Sequence, residues 1–347
     1  MAVGRRVFPL DQVLRLRGDS WSGGSARVAM EQGLQAASFD RAAKAFESAV
    51  GTSISGDSVR RITEGDGAKI LALRAGEVER VHMAFEAGEH NWHERLASVE
   101  PINGQASLST DGVFVHIRDE DWKEVKVTTF SQVKVCVRPD DQITLHHPAH
   151  EPVTELSRHS YQAILDDADH MAQWQLAEGV RRRVLACTPL TSVNDGAPWI
   201  ERITSTNFPQ AIQIVDWAHA SQHVYAAAQL NWPDQSAQSN PWTHPQLDLL
   251  WLGNPAAVAT AISRLSVEKA SQTASYFSDN ASRMRYADFR ARAFPIGSGT
   301  VESACKTVIQ HRLKCPCRGW RRSNASAMIA ALTELHSGRL DLARLAI

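Results

Sequence analysis

Apolar residues recur at two spacings along the chain, and each change of spacing marks a change of element. From Ala26 to about residue 97 the period is helical. Phe39, Ala42, Ala43, Phe46 and Val50 share one face of a helix that Gly51 ends, and Ser55 caps a second helix carrying Val59, Arg60, Arg61 and Ile62. A longer charged helix over 65–97 follows as a connector. From Ser107 the period becomes two. Asp111–Ile117 reads as a first strand, Trp122–Phe130 as a half-buried second, and Val133–Val137 as a third, ended by Pro139-Asp140-Asp141. Helical spacing returns over Ser157–Gly179, where Tyr161, Ile164, Leu165, Ala168, Met171, Ala172 and Leu176 line one face. Val184–Cys187 and Leu190–Val193 flank Pro189 and lead to Asn194-Asp195-Gly196. A short helix over 198–206 and a strand, Ala211–Val215, complete the alternation. Residues 217–294 are helical, broken by a Pro/Ser/Asn-rich stretch, and a last helix capped by Thr300 follows Gly297-Ser298-Gly299.

Three meandering strands, a helix, a strand, a helix and a strand is the order of an RNase H-like α/β fold. In that fold the fourth strand lies parallel beside the first. The expected architecture is α/β: an RNase H-like mixed five-stranded sheet flanked by helices, interrupted by an α-helical insertion, with an N-terminal helical domain resembling a helix-turn-helix. The expected boundaries are 1–100 for the helical, DNA-binding region, 101–220 for the first part of the core, 221–294 for the insertion, and 295–347 for the final catalytic helix and those completing the core. The short helix pair with Arg60 and Arg61 fits DNA binding, and equally fits a plain helical hairpin.

Composition narrows this only a little. A length of 347 residues suggests more than one unit. The net charge of −1 does not mark a nucleic-acid partner, but the basic residues cluster, at Arg181-Arg182-Arg183, over Arg283–Arg292 and over Arg312–Arg322. Five scattered cysteines read as reduced thiols, and Cys315-Pro316-Cys317 lacks the second pair a zinc site needs. No apolar run approaches the ~20 residues that span a bilayer, and the N-terminus has no signal-peptide core. The reading is a soluble, cytoplasmic protein with no membrane partner.

The candidate chemistry rests on three carboxylates: Asp111 on the first strand, Asp195 at the end of the fourth, and Glu302 in the first turn of the final helix. Alone, each is ordinary, since Asp-Gly is a frequent turn and Glu suits a helix N-terminus. Together on this fold order they would meet. Carboxylates suit Mg²⁺ or Mn²⁺, and two such ions can clamp the attacking and leaving oxygens of an in-line phosphoryl transfer. Asp216 ends the fifth strand, one strand farther from Asp111, and with His219 it is expected to support the site. His219 and His223 share a helix face but lack the Glu of a zinc-protease motif. Arg312, Lys314, Arg321 and Arg322 follow Glu302 closely and are expected to hold DNA backbone near the metals, with a solvated helix face as the alternative for any one of them.

Four linked segments carry a family resemblance: Asp111-Gly112-Val113 with Trp122–Lys126; Asn194-Asp195-Gly196-Ala197-Pro198-Trp199-Ile200; Gln213–Ala220, with Asp216-Trp217-Ala218-His219; and Gly297–Lys306, with Val301-Glu302-Ser303. In this order they resemble the ISKra group of bacterial insertion-sequence transposases, DDE enzymes distantly similar to the Mutator-like group. The resemblance runs from about Phe8 to Gly338. It implies Asp111, Asp195 and Glu302 as catalytic, metal-binding residues and Asp216 and His219 as the Asp-x-x-His motif. It also implies double-stranded transposon-end and target DNA as partners, and a homodimer or larger synaptic assembly in a bacterial, nucleoid-associated setting. Relatives carry more chain before Pro9-Leu10-Asp11, and here Cys315-Pro316-Cys317-Arg318-Gly319 stands where they have a Gly/Ser-containing turn. A truncated or domesticated DNA-binding remnant without transposition activity is therefore the alternative expectation.

Overall fold

A computed structural model describes residues 21–89, 96, 99–138, 151–233, 239–266, 270–315 and 319–346. Its centre is a five-stranded mixed sheet in the order β3-β2-β1-β4-β5. Strands β1 (Ala106–Ile117), β2 (Asp121–Cys136) and β3 (Val153–Ile164) form an antiparallel meander. Strands β4 (Leu190–Asn194) and β5 (Ile212–Val215) add in parallel beyond β1. This α/β architecture is compatible with an RNase H-like fold.

Two expectations about the meander are corrected. Val133–Val137 is not a third strand, because β2 runs through Ser131 with only a register shift between Phe130 and Gln132. A bulge absorbs one residue and lets the pairing continue. The third strand is Val153–Ile164, part of which falls where helical spacing predicts a helix. That spacing is accidental: the polar-rich run pairs with β2, burying Ala163 and Ile164. The helix, α4 (Ala168–Arg181), starts only where the Asp167 carboxylate accepts hydrogen bonds from the Asp169 and His170 N–H groups. Val184–Ala186 is a single tight helical turn. The turn expected at Pro139-Asp140-Asp141 lies outside the described residues.

The N-terminal helices are α1 (Gly23–Gln35), α2 (Phe39–Val50) and α3 (Gly56–Glu86). Gly51 closes α2 in the left-handed region, φ 75°, as the turn requires. The expected second short helix and the connector are one 31-residue helix, α3. Gly67 does not break it. A Cβ there would stand 2.6 Å from the Ala327 carbonyl oxygen, so the residue allows close approach of a C-terminal helix. Met30, Leu34, Phe46, Ile62 and Ile70 bury into the same core as Val113, Val115, Ile309 and Leu332. The helix pair therefore packs as part of the main body.

Chain order then gives α5 (Pro198–Asn207), α6 (Trp217–Asn231), α7 (Ser239–Trp251), α8 (Pro255–Ser263), α9 (Ala270–Asp279) and α10 (Tyr286–Ala291). Helices α6 to α10 flank the β5 side of the sheet, and their core joins Val193, Ile214 and Val215 of the sheet to Leu250, Phe277, Tyr286 and Phe289. Helix α11 (Gly299–Ala304) continues through a π-helical stretch, Cys305–Gln310, into α12 (His311–Leu313). Helices α13 (Arg322–His336) and α14 (Leu340–Leu345) close the body. Among the described residues, no helix is long and apolar enough to cross a membrane.

Six buried charges tie α3, α4 and α13 together in a closed ring. Arg74 pairs with Glu334 and Glu77, both at 2.7 Å. Arg181 bridges Glu77 (2.6 Å) and Glu178 (2.5 Å). Arg339 bridges Glu178 (2.7 Å) and Glu334 (3.1 Å). Three guanidiniums face three carboxylates, so the ring is neutral as a whole.

Candidate active site

The parallel pairing sets the first part of β1 beside β4, while β1 runs on to Ile117. Ala106 is level with Leu190 and Leu108 with Ser192. The same 84-residue offset (190−106 = 195−111) carries Asp111 to the level of Asp195. Just before the strands part, the Thr110 N–H donates to the Asn194 side-chain oxygen at 2.6 Å.

Asp111 is half-buried beneath the final helix. One oxygen accepts the Gly112 N–H at 2.7 Å, and the other accepts the Cys305 thiol at 3.7 Å. Burial pushes the Asp111 carboxyl above its ordinary range, and the neighbouring Asp195 charge adds to this; the two hydrogen bonds and His219 offset it only in part. Asp195 accepts the Ala197 N–H at 2.8 Å, which turns the chain into α5. Gly196, at φ 91°, makes that turn, and the Tyr276 hydroxyl from the insertion donates to the Asp195 carbonyl at 3.2 Å. Burial, reinforced by Asp195, raises the Tyr276 phenol, so it stays protonated as a donor.

Asp216 is 1% exposed and caps α6. Its Oδ1 accepts the His219 N–H at 2.7 Å and lies 3.2 Å from His219 Nδ1, while Oδ2 accepts the Ser298 N–H at 2.6 Å. Burial opposes its charge, but these hydrogen bonds outweigh burial and hold its carboxyl below the usual range. The hydrogen bond to Asp216 raises the His219 pKa, helped by the charges of Asp216, Asp195 and Glu302. Burial and the nearby His219 lower the pKa of His223, whose ring stacks on Tyr276 with centroids 3.9 Å apart.

Glu302 sits in the first turn of α11, with the Ser298 hydroxyl donating to it at 3.4 Å. Ligand atoms of Asp216, His219 and Glu302 all lie within 4.8 Å of one another. Asp111, Asp195 and Glu302 do not close to that distance as a set. The loop geometry explains this. Ser298, bonded to Asp216, fixes the start of α11 beside β5, so Glu302 faces that side and Cys305, one turn later, meets Asp111. The π-helical stretch begins at Cys305, and such stretches are frequent at functional sites. Among the described residues, no lysine or arginine forms an ion pair with Asp111, Asp195 or Glu302. The oxygen-rich, negatively charged donor set fits a divalent cation. The second compact group, Asp166, Asp167 and His170, is exposed and is largely the α4 cap.

The expected DNA contacts divide. Arg312 is 1% exposed, so it is not a surface phosphate ligand. It donates to the Gly33 carbonyl at 2.9 Å and lies 4.4 Å over the Phe39 ring and 5.0 Å from that of Trp320. It holds α12 to α1 and α2. Arg322 clamps Glu120 at 2.6 Å and the Leu165 carbonyl at 2.9 Å. Arg60 pairs with Asp57 and with Glu64 (3.0 Å), and Arg61 pairs with Asp57 at 3.1 Å. Arg321 and Lys314 are exposed, the latter 5.6 Å over the Trp122 ring. Arg60, Arg118 and Arg321 line a cavity of about 630 Å³ between the N-terminal helices and Trp320. The Cys315 thiol donates to main-chain oxygens, Arg312 among them; Cys317 lies outside the described residues.

Sequence reasoning missed Cys305, Tyr276 and Ser298. Cys305 had a signal, since it lies three residues after Glu302 and so on the same helix face. Tyr276, 81 residues from Asp195, had none. No protein-family model matches the chain, and no curated protein matches it significantly.

Proposed function

We propose that the chain is a DDE transposase of an insertion sequence, which binds element ends and carries out divalent-metal-dependent strand cleavage and 3′-hydroxyl strand transfer. The observation that supports this best is that Asp111, midway along β1, comes level with Asp195, just past the end of the parallel strand β4, beside the helix that carries Glu302. The resemblance of the four motif segments to ISKra-type transposases agrees with it. Asp111, Asp195 and Glu302 would hold Mg²⁺ or Mn²⁺, two ions in the full site. Bound there, the ions would activate the attacking water or 3′-hydroxyl and stabilise the leaving oxygen.

The chain's own residues prepare the site. Burial, with the Asp195 charge beside it, raises the pKa of Asp111, and a cation bound there would favour the ionised carboxylate. Asp216 fixes the α6 N-terminus and, through Nδ1, the His219 ring. Tyr276 holds the Asp195 backbone, and half-burial limits water around the carboxylates. Exposed Arg321 and Lys314, with Arg60 and Arg61 at the N-terminal helices, are the residues left to meet duplex phosphates, the two substrates being end and target DNA in a dimeric or larger assembly.

The test is incubation with the element's own ends and Mg²⁺ or Mn²⁺, comparing the protein with Asp111→Asn. Cleavage by the protein and none by the variant is expected. Cleavage that persists in Asp111→Asn sinks the assignment of Asp111. End binding with neither cleavage nor metal binding in the intact protein identifies a DNA-binding remnant instead.

A further inference from the structure

Two arginines from distant parts of the chain line the cavity between the N-terminal helices and Trp320. Ile117, the last residue of β1, makes an isolated parallel bridge with Trp320. The Trp320 N–H donates to the His116 carbonyl at 3.1 Å, and the Arg118 N–H donates to the Trp320 carbonyl at 2.8 Å. The next residue along each backbone is an arginine, so this register sets Arg118 beside Arg321. Like charges at paired positions repel. The Arg118 Nε donates to the Gly319 carbonyl at 2.8 Å, and among the described residues neither guanidinium forms an ion pair. An anion held between them would relieve the repulsion.

The rest of the cavity wall suits such an anion. Buried Arg312 adds a third guanidinium. Of the described acids on the wall, Asp57 and Glu64 pair with Arg60, which leaves Asp40 against three arginines. Helices α2, α3 and α13 begin at this wall, and their positive ends add to the same field. A guanidinium fork matches two oxygens of a phosphate group. The volume, about 630 Å³, has room for more than the phosphate, and Phe39 and Trp320 give the remainder of a ligand apolar surface.

We propose that this cavity binds the phosphate group of a nucleotide, free or within a DNA strand, between Arg118 and Arg321. The proposal shares Arg321 with the transposase reading and does not need the carboxylate site.

The experiment titrates the full chain by calorimetry with deoxyadenosine monophosphate and with a short 5′-phosphorylated oligothymidylate. EDTA is present throughout, so that no metal carries the phosphate. Saturable binding of at least one probe is expected. Arg118→Ala and Arg321→Ala should each weaken it about 10-fold. Arg264→Ala, which removes an exposed cation outside the cavity, should leave it unchanged. Tighter binding of the mononucleotide identifies a free nucleotide as the ligand, and tighter binding of the oligothymidylate identifies a strand; either supports the proposal. Circular dichroism establishes that each variant is folded. If Arg118→Ala is unfolded, Arg321→Ala and Arg321→Glu decide. Binding of neither probe overturns the proposal, as does affinity unchanged in the Arg321 variants or weakened as much by Arg264→Ala. Cleavage of element ends by a protein that binds neither probe overturns this inference alone. Probe binding that depends on both arginines, in a protein that cuts no DNA, overturns the transposase reading alone.

Discussion

Replacing Glu178 by Gln tests whether the buried ring of charges holds the N-terminal helices to the sheet. Glu178 is fully buried and contacts Arg181 at 2.5 Å and Arg339 at 2.7 Å. Burial alone would raise its pKa, but the two guanidiniums outweigh burial and depress it from 4.5 to about 2. A drop of that size is about 3 kcal/mol of stability at neutral pH. Because the folded-state pKa is the lower one, this stability is present above pH 4.5 and is lost as pH falls toward about 2. Glu178→Gln should cost about 3–5 kcal/mol at pH 7, since it also strands part of two buried guanidiniums. Urea unfolding of both proteins at pH 7 and at pH 3 measures this, and the gap between them should narrow at the lower pH. A cost below about 1 kcal/mol at pH 7 would refute the reasoning. A gap unchanged at pH 3 would also refute it, because the charge on Glu178 would then not be the cause.

Gly67→Leu should destabilise the fold by about 1–3 kcal/mol, read by the urea midpoint, because the side chain must push the Ala327 backbone away from α3. Arg312→Ala should lower the thermal midpoint yet leave the salt dependence of DNA binding unchanged. Arg321→Ala should instead reduce the slope of log affinity against log salt by about one. Asp111→Asn should raise the thermal midpoint of the metal-free protein, because it removes a half-buried carboxylate repelled by Asp195; no rise in calorimetry would mean that the repulsion is relieved otherwise.

What the sequence determined by itself was local and periodic. Alternation marked β1 and β2, and helical spacing marked α2 and α5. The Asn194-Asp195-Gly196 and Gly297-Ser298-Gly299 turns put Asp195 and Glu302 at element ends. These features depend on contacts within a few residues, so the pattern carries them. Helical spacing misled at Val153–Ile164, because an edge strand with polar residues on its outer side has no strict alternation to display, and pairing with β2 decided it. The pattern had nothing to say about Arg312. A cation at a helix end reads as surface until Phe39, far away in sequence, and the nearer Trp320 close over it. The site divides in the same way. Asp111 and Asp195 could be brought together from strand order, because parallel pairing with a fixed offset is a topological consequence. Which carboxylates Glu302 faces was decided by a hydrogen bond from the Ser298 backbone to Asp216, 82 residues away, and only the packed chain contains that bond.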